Sequence, residues 1–252
     1  MKLKIGSFNI QRANNHAYLL QTKNKKRETK PISDFIAREG LDVCGLQEVC
    51  LNDQTPYCVP EMCRNHAKGI ADALGYEYAF GLATDETLAM DGGYGVAIVS
   101  RYPIVSKRTV AIPSPKKEDR KYTGYYEDRV LLIVDIDIDG KILTVINTHY
   151  GLNPDEMDRA LEITKRELEN IDGEVVLIGD LNITAKSSYY EELKAMLVDT
   201  SPEGTLPYTF PSDSPSRKID YIFTSDKIAS SNPRAANDVI SDHLPYMADV
   251  EL

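Results

Sequence analysis

The chain has 252 residues, 42% of them hydrophobic and 27% charged, a balance ordinary for a globular protein with a substantial core. Its formal charge is −10, from 39 acidic and 29 basic residues, which weighs against a broad nonspecific grip on nucleic acid. No apolar run approaches the roughly eighteen residues of a membrane helix.

The charge is uneven. Residues 1–30 hold eight Lys or Arg against Glu28 alone, so the remainder is more acidic still. The cluster from Lys23 to Lys30 reads as a solvated loop, with a phosphate-facing role as the competing reading. The N-terminus alternates like a strand and lacks the apolar block of a signal peptide, so the cytoplasm is the expected compartment. Cys44, Cys50, Cys58 and Cys63 match no common zinc spacing and read as free thiols.

In chain order, alternation and β-branched runs predict a strand over 2–10, then a helix over 31–39 with Pro31 in its first turn and Gly40 as its stop. A strand over 42–47 and a helix over 60–74, ended by Gly75, follow. Strands are expected at 76–81, 94–100 and 104–112. Segments 129–137 and 141–148 flank Ile138-Asp139-Gly140, a hairpin signal. The helix over 154–171 carries Asp155, Glu156 and Asp158 in its first turn, where the helix dipole favours acids. Its apolar residues keep to one face. A strand over 174–179, a helix over 188–196 and strands over 218–224 and 246–252 complete the series. Ten strands with few helices between them point to an α/β (α+β) fold: two mixed, mainly antiparallel sheets packed face to face, helices outside. One domain over 1–252 is expected. The connections 11–30, 51–60, 84–93 and 113–126 are read as loops.

The polar residues gather where strands end. Gly179-Asp180-Leu181-Asn182 follows the apolar run Val175-Val176-Leu177-Ile178, so a carboxylate and a carboxamide leave the sheet at its carboxyl edge, where open sheets collect ligands. Glu48 ends the second strand, Asn9 follows the apolar residues of the first, and His149 ends the seventh. Asp242-His243 stands just before the last. Oxygen donors such as Glu48 and Asn9 suit Mg²⁺ or Mn²⁺. An imidazole beside an acid can be oriented, kept charged and offered to an oxyanion. Asp220 lies inside the apolar Ile219-Asp220-Tyr221-Ile222-Phe223, and a buried carboxylate requires a donor partner, for which a histidine would serve.

Ser7-Phe8-Asn9-Ile10, Leu46-Gln47-Glu48-Val49, Tyr94-Gly95-Val96-Ala97-Ile98-Val99-Ser100-Arg101, Asn147-Thr148-His149, Gly179-Asp180-Leu181-Asn182, Ile219-Asp220-Tyr221-Ile222-Phe223 and Ser241-Asp242-His243 occur in this order. The series, spanning almost the whole chain, resembles the endonuclease/exonuclease/phosphatase superfamily, whose fold is that of pancreatic deoxyribonuclease. The resemblance implies a four-layer α/β sandwich that hydrolyses a phosphate ester with Mg²⁺ (or Mn²⁺). It implies a metal held by Glu48, with Asn9 nearby and Asp242 helping directly or through water. Asp180 would orient or deprotonate the attacking water and Asn182 would hold the phosphate. His243, paired with Asp220, would act as base or phosphate clamp, and His149 would stabilise charge on phosphorus. Some relatives support the first histidine with an acid before the Gly-rich strand, for which Asp91 is the local candidate. Tyr94 and Arg129 are added as substrate-binding positions, although Arg129 is also read as the ion-pair partner of Glu127.

The leading expectation is a phosphoesterase acting on a small phosphorylated or phosphodiester compound. A nuclease of the same superfamily is the alternative, with 15 Tyr and 5 Phe available for base stacking. A non-catalytic binding protein on this fold is the third reading.

Overall fold

The computed structural model describes residues 1–58, 64–84, 92–201 and 207–252. Cys63 and Asp91 lie outside the described residues. Chain order is β1 (Lys2–Asn9), α1 (His16–Thr22), α2 (Lys30–Glu39), β2 (Val43–Cys50), α3 (His66–Leu74), β3 (Glu77–Thr84), β4 (Tyr94–Ser100), β5 (Ile104–Ile112), β6 (Arg129–Ile138), β7 (Lys141–His149), α4 (Pro154–Glu169), β8 (Glu174–Asp180), α5 (Ser188–Lys194), β9 (Val198–Asp199), β10 (Asp220–Thr224), β11 (Ala229–Ala235) and β12 (Tyr246–Glu251).

The strands form two six-stranded sheets, ordered β11-β12-β1-β2-β4-β3 and β5-β6-β7-β8-β10-β9. Each contains one parallel pair, β1 with β2 and β7 with β8, among otherwise antiparallel neighbours. The expected mixed, mainly antiparallel sandwich is therefore the observed one. Three apolar layers hold it together. Leu3, Ile5, Leu132, Val145, Val176 and Ile178 meet between the sheets. Phe8, Phe35, Ile36 and Ile70 pack α2 and α3 onto the first sheet. Leu131, Ile146, Leu161, Leu177 and Leu193 pack α4 and α5 onto the second.

Because side chains alternate along a strand, each strand feeds two layers, and this alternation also places the polar residues. On β8 the line Val176, Ile178, Asp180 faces the other sheet. On β7 the line is Leu143, Val145, Asn147, His149, and on β1 it is Leu3, Ile5, Ser7, Asn9. The inter-sheet core thus ends in polar side chains at one edge. Below them, Asn147 crosses between the sheets: its Nδ2 donates to the carbonyls of Leu46 and Ala97, at 3.0 and 2.7 Å, and its Oδ1 accepts from Gln47 Nε2 at 2.7 Å. Gly179 is required for closeness, since a Cβ there would run into the carbonyl oxygen of Thr148 on the neighbouring strand.

Three elements differ from the sequence expectation. Residues 11–30, read as a loop, contain α1, capped by Asn15, whose side chain accepts from the Tyr18 N–H. No residue of α1 is buried, so it has no apolar stripe to read. β11, sequence ASSNPRA, is a polar edge strand containing Pro233, the kind of segment propensity rejects. β9 is only two residues long. The helix expected over 60–74 is described from His66 onward. Among the described residues no helix is long and apolar enough to cross a membrane. The basic cluster is largely spent on acids: Lys26 pairs with Glu28, Arg27 with Asp53 and Lys30 with Asp34.

Candidate active site

The polar edge opens into a cavity of about 510 Å³. Every site residue expected from sequence lines it except Asp220, which is buried beneath it. Asn9, His149 and Asp180 arrive by alternation, at the carboxyl ends of the parallel pairs. Asp180 stands opposite His149 in one register and opposite Asp220 in the other.

Glu48 arrives by a different route. On β2, Cys44 and Leu46 face the helices, and strict alternation would send Glu48 the same way. The register against β4 slips between Leu46 and Val49, and Glu48 itself adopts φ 55°. This β-bulge re-aims one side chain, bringing Glu48 Oε1 to 3.3 Å from Asn9 Nδ2. Asn182 also has positive φ, 53°. Its N–H donates to Asp180 Oδ1 and its Nδ2 to the Tyr150 carbonyl, a local Asx arrangement that tolerates this backbone.

Asp180 is the hub. Its Oδ2 accepts from Asn9 Nδ2 at 2.9 Å and lies 3.4 Å from His149 Nε2 and 3.6 Å from His243 Nε2. His243 turns its other nitrogen to Asp220, with Nδ1 2.9 Å from Oδ2. Burial opposes the His243 charge, but Asp220 and then Asp180 raise its pKa to about 10. Burial, with Asp220 adding to it, pushes the Asp180 carboxyl upward. His149 differs in kind. Burial first, then the Arg129 and His243 charges, hold it well below the usual histidine value.

Arg129 is buried and bonded on two sides, to Glu127 Oε2 at 2.8 Å and to His149 Nδ1 at 3.1 Å. Tyr125, whose hydroxyl donates to Glu127 Oε1, continues this chain to the cavity mouth. Tyr94 is 3% exposed, with the Arg12 guanidinium 5.0 Å from its ring centroid. Sequence reasoning missed Gln11, Arg12, Phe210 and Arg217. Gln11 Nε2 donates to Asp242 Oδ2 at 2.8 Å. Phe210 packs against the His243 ring, with centroids 4.7 Å apart, and the Arg217 guanidinium lies 5.0 Å from the Phe210 ring centroid. Only the position of Gln11 and Arg12, just after Asn9, could have drawn attention to them.

The oxygen donors of the site suit a divalent cation. Glu48 and Asp242 are neighbouring carboxylates: after burial, the Asp242 charge is the next cause raising the Glu48 carboxyl. The Arg12 and His243 charges act on Glu48 in the opposite sense, and carboxylate oxygens of this kind are hard donors that suit Mg²⁺ or Mn²⁺. Asn9 turns its Nδ2 toward the Glu48 and Asp180 carboxylates while its Oδ1 accepts from the Gln11 N–H, so it holds those two acids in place. A separate grouping, Cys50, Asp53 and His66, is engaged in its own bonds. The Cys50 N–H donates to His66 Nδ1, and Asp53 binds Arg27 and His66.

A carboxylate met by two imidazoles and a carboxamide, beside two further acids, gathers proton donors, proton acceptors and hard oxygen donors at one cavity. The sequence profile of the Endonuclease/Exonuclease/phosphatase family matches residues 6–243, and the chain belongs to that family. Among solved structures it is similar to the Bacteroides vulgatus endonuclease/exonuclease/phosphatase, with TM-score 0.76, 20% identity, and 100% and 99% of the two chains covered. It is similar to the Bacteroides thetaiotaomicron mannosyl-6-phosphatase, with TM-score 0.74, 17% identity, and 99% and 100% covered. It is also similar to D. rerio TDP2 complexed with single strand DNA product, with TM-score 0.67, 16% identity, and 100% and 99% covered.

Proposed function

We propose that this chain is a Mg²⁺-dependent (or Mn²⁺-dependent) phosphoesterase, working as one domain on a small phosphorylated compound by in-line attack of water. The observation that carries this reading is the convergence of Asn9, His149 and His243 on one oxygen of Asp180, beside Glu48 and Asp242.

Glu48 and Asp242 would hold the metal, which when bound would supply positive charge against phosphate oxygens. Asp180 accepts hydrogen bonds from its neighbours and is placed to orient a water and receive its proton. Asn182 stands beside it to hold the phosphate. His243, kept cationic by Asp220, offers Nε2–H to a phosphoryl oxygen, and His149 does so from the other side. Phosphoryl transfer demands positioning and charge neutralisation more than covalent chemistry, and this set provides both.

Small substrates are favoured by the acidic surface and by a cavity of about 510 Å³, the size of a compact ligand. The phosphatase among the similar structures supports the same reading. A panel of sugar phosphates, other phosphomonoesters and phosphodiesters, with plasmid and abasic DNA, in Mg²⁺ and in Mn²⁺, tests it. Turnover of a small phosphoester should exceed DNA cleavage. The reverse order would make the chain a nuclease, and inertness toward the whole panel would leave only a binding role.

A further inference from the structure

The two imidazoles that meet at Asp180 are backed by opposite charges. Behind His243 Nδ1 stands the Asp220 carboxylate, at 2.9 Å. Behind His149 Nδ1 stands the Arg129 guanidinium, at 3.1 Å. We infer that Arg129 is a positioning residue that fixes His149 as a neutral imidazole with its proton on Nε2, so that His149 meets the phosphoryl group only as a hydrogen-bond donor.

A guanidinium has five N–H groups and accepts nothing, so a nitrogen within hydrogen-bond distance of it must present a lone pair. His149 Nδ1 is therefore unprotonated, and the single proton of the neutral ring falls on Nε2. That nitrogen faces an acceptor, Asp180 Oδ2, at 3.4 Å. A second proton on Nδ1 would set N–H against N–H and cation against cation at a site where His149 is 6% and Arg129 6% exposed.

Arg129 cannot swing away freely. It is the first residue of β6, and Nη1 is also held by Glu127 Oε2 at 2.8 Å. The charged groups facing His149 are Arg129 from β6, Asp180 from β8 and His243 from the segment before β12, with Glu127 behind Arg129. Two of the three that face the ring directly are cationic or made so by their own partner. The depressed His149 pKa has the same causes, after burial. Oppositely backed titratable groups in one site divide donor and acid–base roles between them, and here the division follows from what lies behind each ring.

This inference rests on the phosphoesterase reading for its role in turnover, but the ring state can be read without turnover. The test is long-range ¹H–¹⁵N NMR on ¹⁵N-histidine protein, with His149 assigned from its disappearance in His149→Gln. The wild-type His149 signals should show the neutral Nε2–H pattern at about pH 7 and retain it down to about pH 6, where a free histidine is largely charged. An imidazolium pattern, or the proton on Nδ1, would overturn the inference whatever the enzyme hydrolyses. In Arg129→Met the Nε2–H pattern should be lost and kcat should fall about 10–100-fold, as for other groups that orient a working side chain. Arg129→Lys, which keeps a cationic donor, should restore much of both. An unchanged His149 pattern in Arg129→Met would assign the tautomer to some other cause and remove Arg129 from it. If Arg129→Met fails to fold, the wild-type and Arg129→Lys spectra still decide. A correct ring pattern in a protein inert to every phosphoester would refute the functional reading alone.

Discussion

His243 and Asp220, 23 residues apart in sequence, are joined by a 2.9 Å bond between Nδ1 and Oδ2, and the Asp220 carboxylate has no exposed surface. In the described structure its Oδ1 has no hydrogen-bond partner. A buried carboxylate so sparsely bonded is tolerated because the adjacent imidazole carries the compensating charge. Asp180 stands directly across the strand pair from Asp220, so two acids share one histidine.

Removing either acid should therefore damage turnover more than folding. Asp180→Asn, Asp220→Asn and His243→Ala are each expected to lower kcat by about 10²–10⁴-fold, the range for a positioned proton-transfer group. Asp180→Asn should melt at or above the wild-type temperature, because opposed like charges cost stability, whereas Asp220→Asn takes away the buried partner of the His243 cation and should melt lower. Turnover measured beside thermal melts checks this; wild-type kcat in any of the three would remove that residue from the proposed chemistry.

Glu48 reaches the cavity only through its bulge and shares its surroundings with Asp242. Glu48→Gln keeps the shape and removes the charge. Its activity-versus-Mg²⁺ curve should shift to higher concentration by at least about 10-fold, given that even residues behind a metal ligand change affinity by that much. A curve superimposable on wild type would place the metal elsewhere.

Asn147 supports the site from below by tying β7 to β2 and β4. Asn147→Ala takes a buried donor from the carbonyls of Leu46 and Ala97 and leaves Gln47 Nε2 only its longer bond to Ser7 Oγ, at 3.5 Å. The expected loss is about 2–4 kcal/mol, since each stranded buried group costs on the order of 1–3 kcal/mol. Urea unfolding measures it, and a loss below about 1 kcal/mol would mean that water or repacking replaces the bonds.

Asp53 provides a pH test away from the cavity. Burial opposes its charge, but hydrogen bonds from His66, Arg27 and Thr55 outweigh burial and hold its carboxyl well below the usual range. The unfolded chain takes up this proton near pH 4 and the folded chain resists it. Its contribution to stability is thus full above about pH 4 and declines as pH falls further. In urea titrations the gap between wild type and Asp53→Asn should narrow from about pH 5 to pH 3. A constant gap would show that the depressed carboxyl does not drive the acid response.

Much of the fold was legible locally because strand patterning is written in adjacent residues. The runs through Val176 and Ile178, or Leu143 and Val145, announce inter-sheet faces, and their next polar residues fall on the same face by alternation. That is why Asn9, His149 and Asp180 could be named from the chain alone. Elements that bury nothing, such as α1, or that pair only at an edge, such as β11, leave no such pattern. Asp220 was legible for another reason: a lone acid among Ile219, Tyr221, Ile222 and Phe223 is conspicuous, and its need for a donor follows from desolvation.

The sequence by itself determined the strand-end chemistry, the demand of Asp220 for a partner and, through its ordered motifs, the family. Only the tertiary structure decided that Glu48 turns inward against its strand's alternation, that Asn9 and two imidazoles gather around one Asp180 oxygen, and that His149 is backed by a cation while His243 is backed by an anion. Those relations depend on register, a bulge and the approach of two sheets. The energies that set them are long-range contacts, which no short window of residues contains.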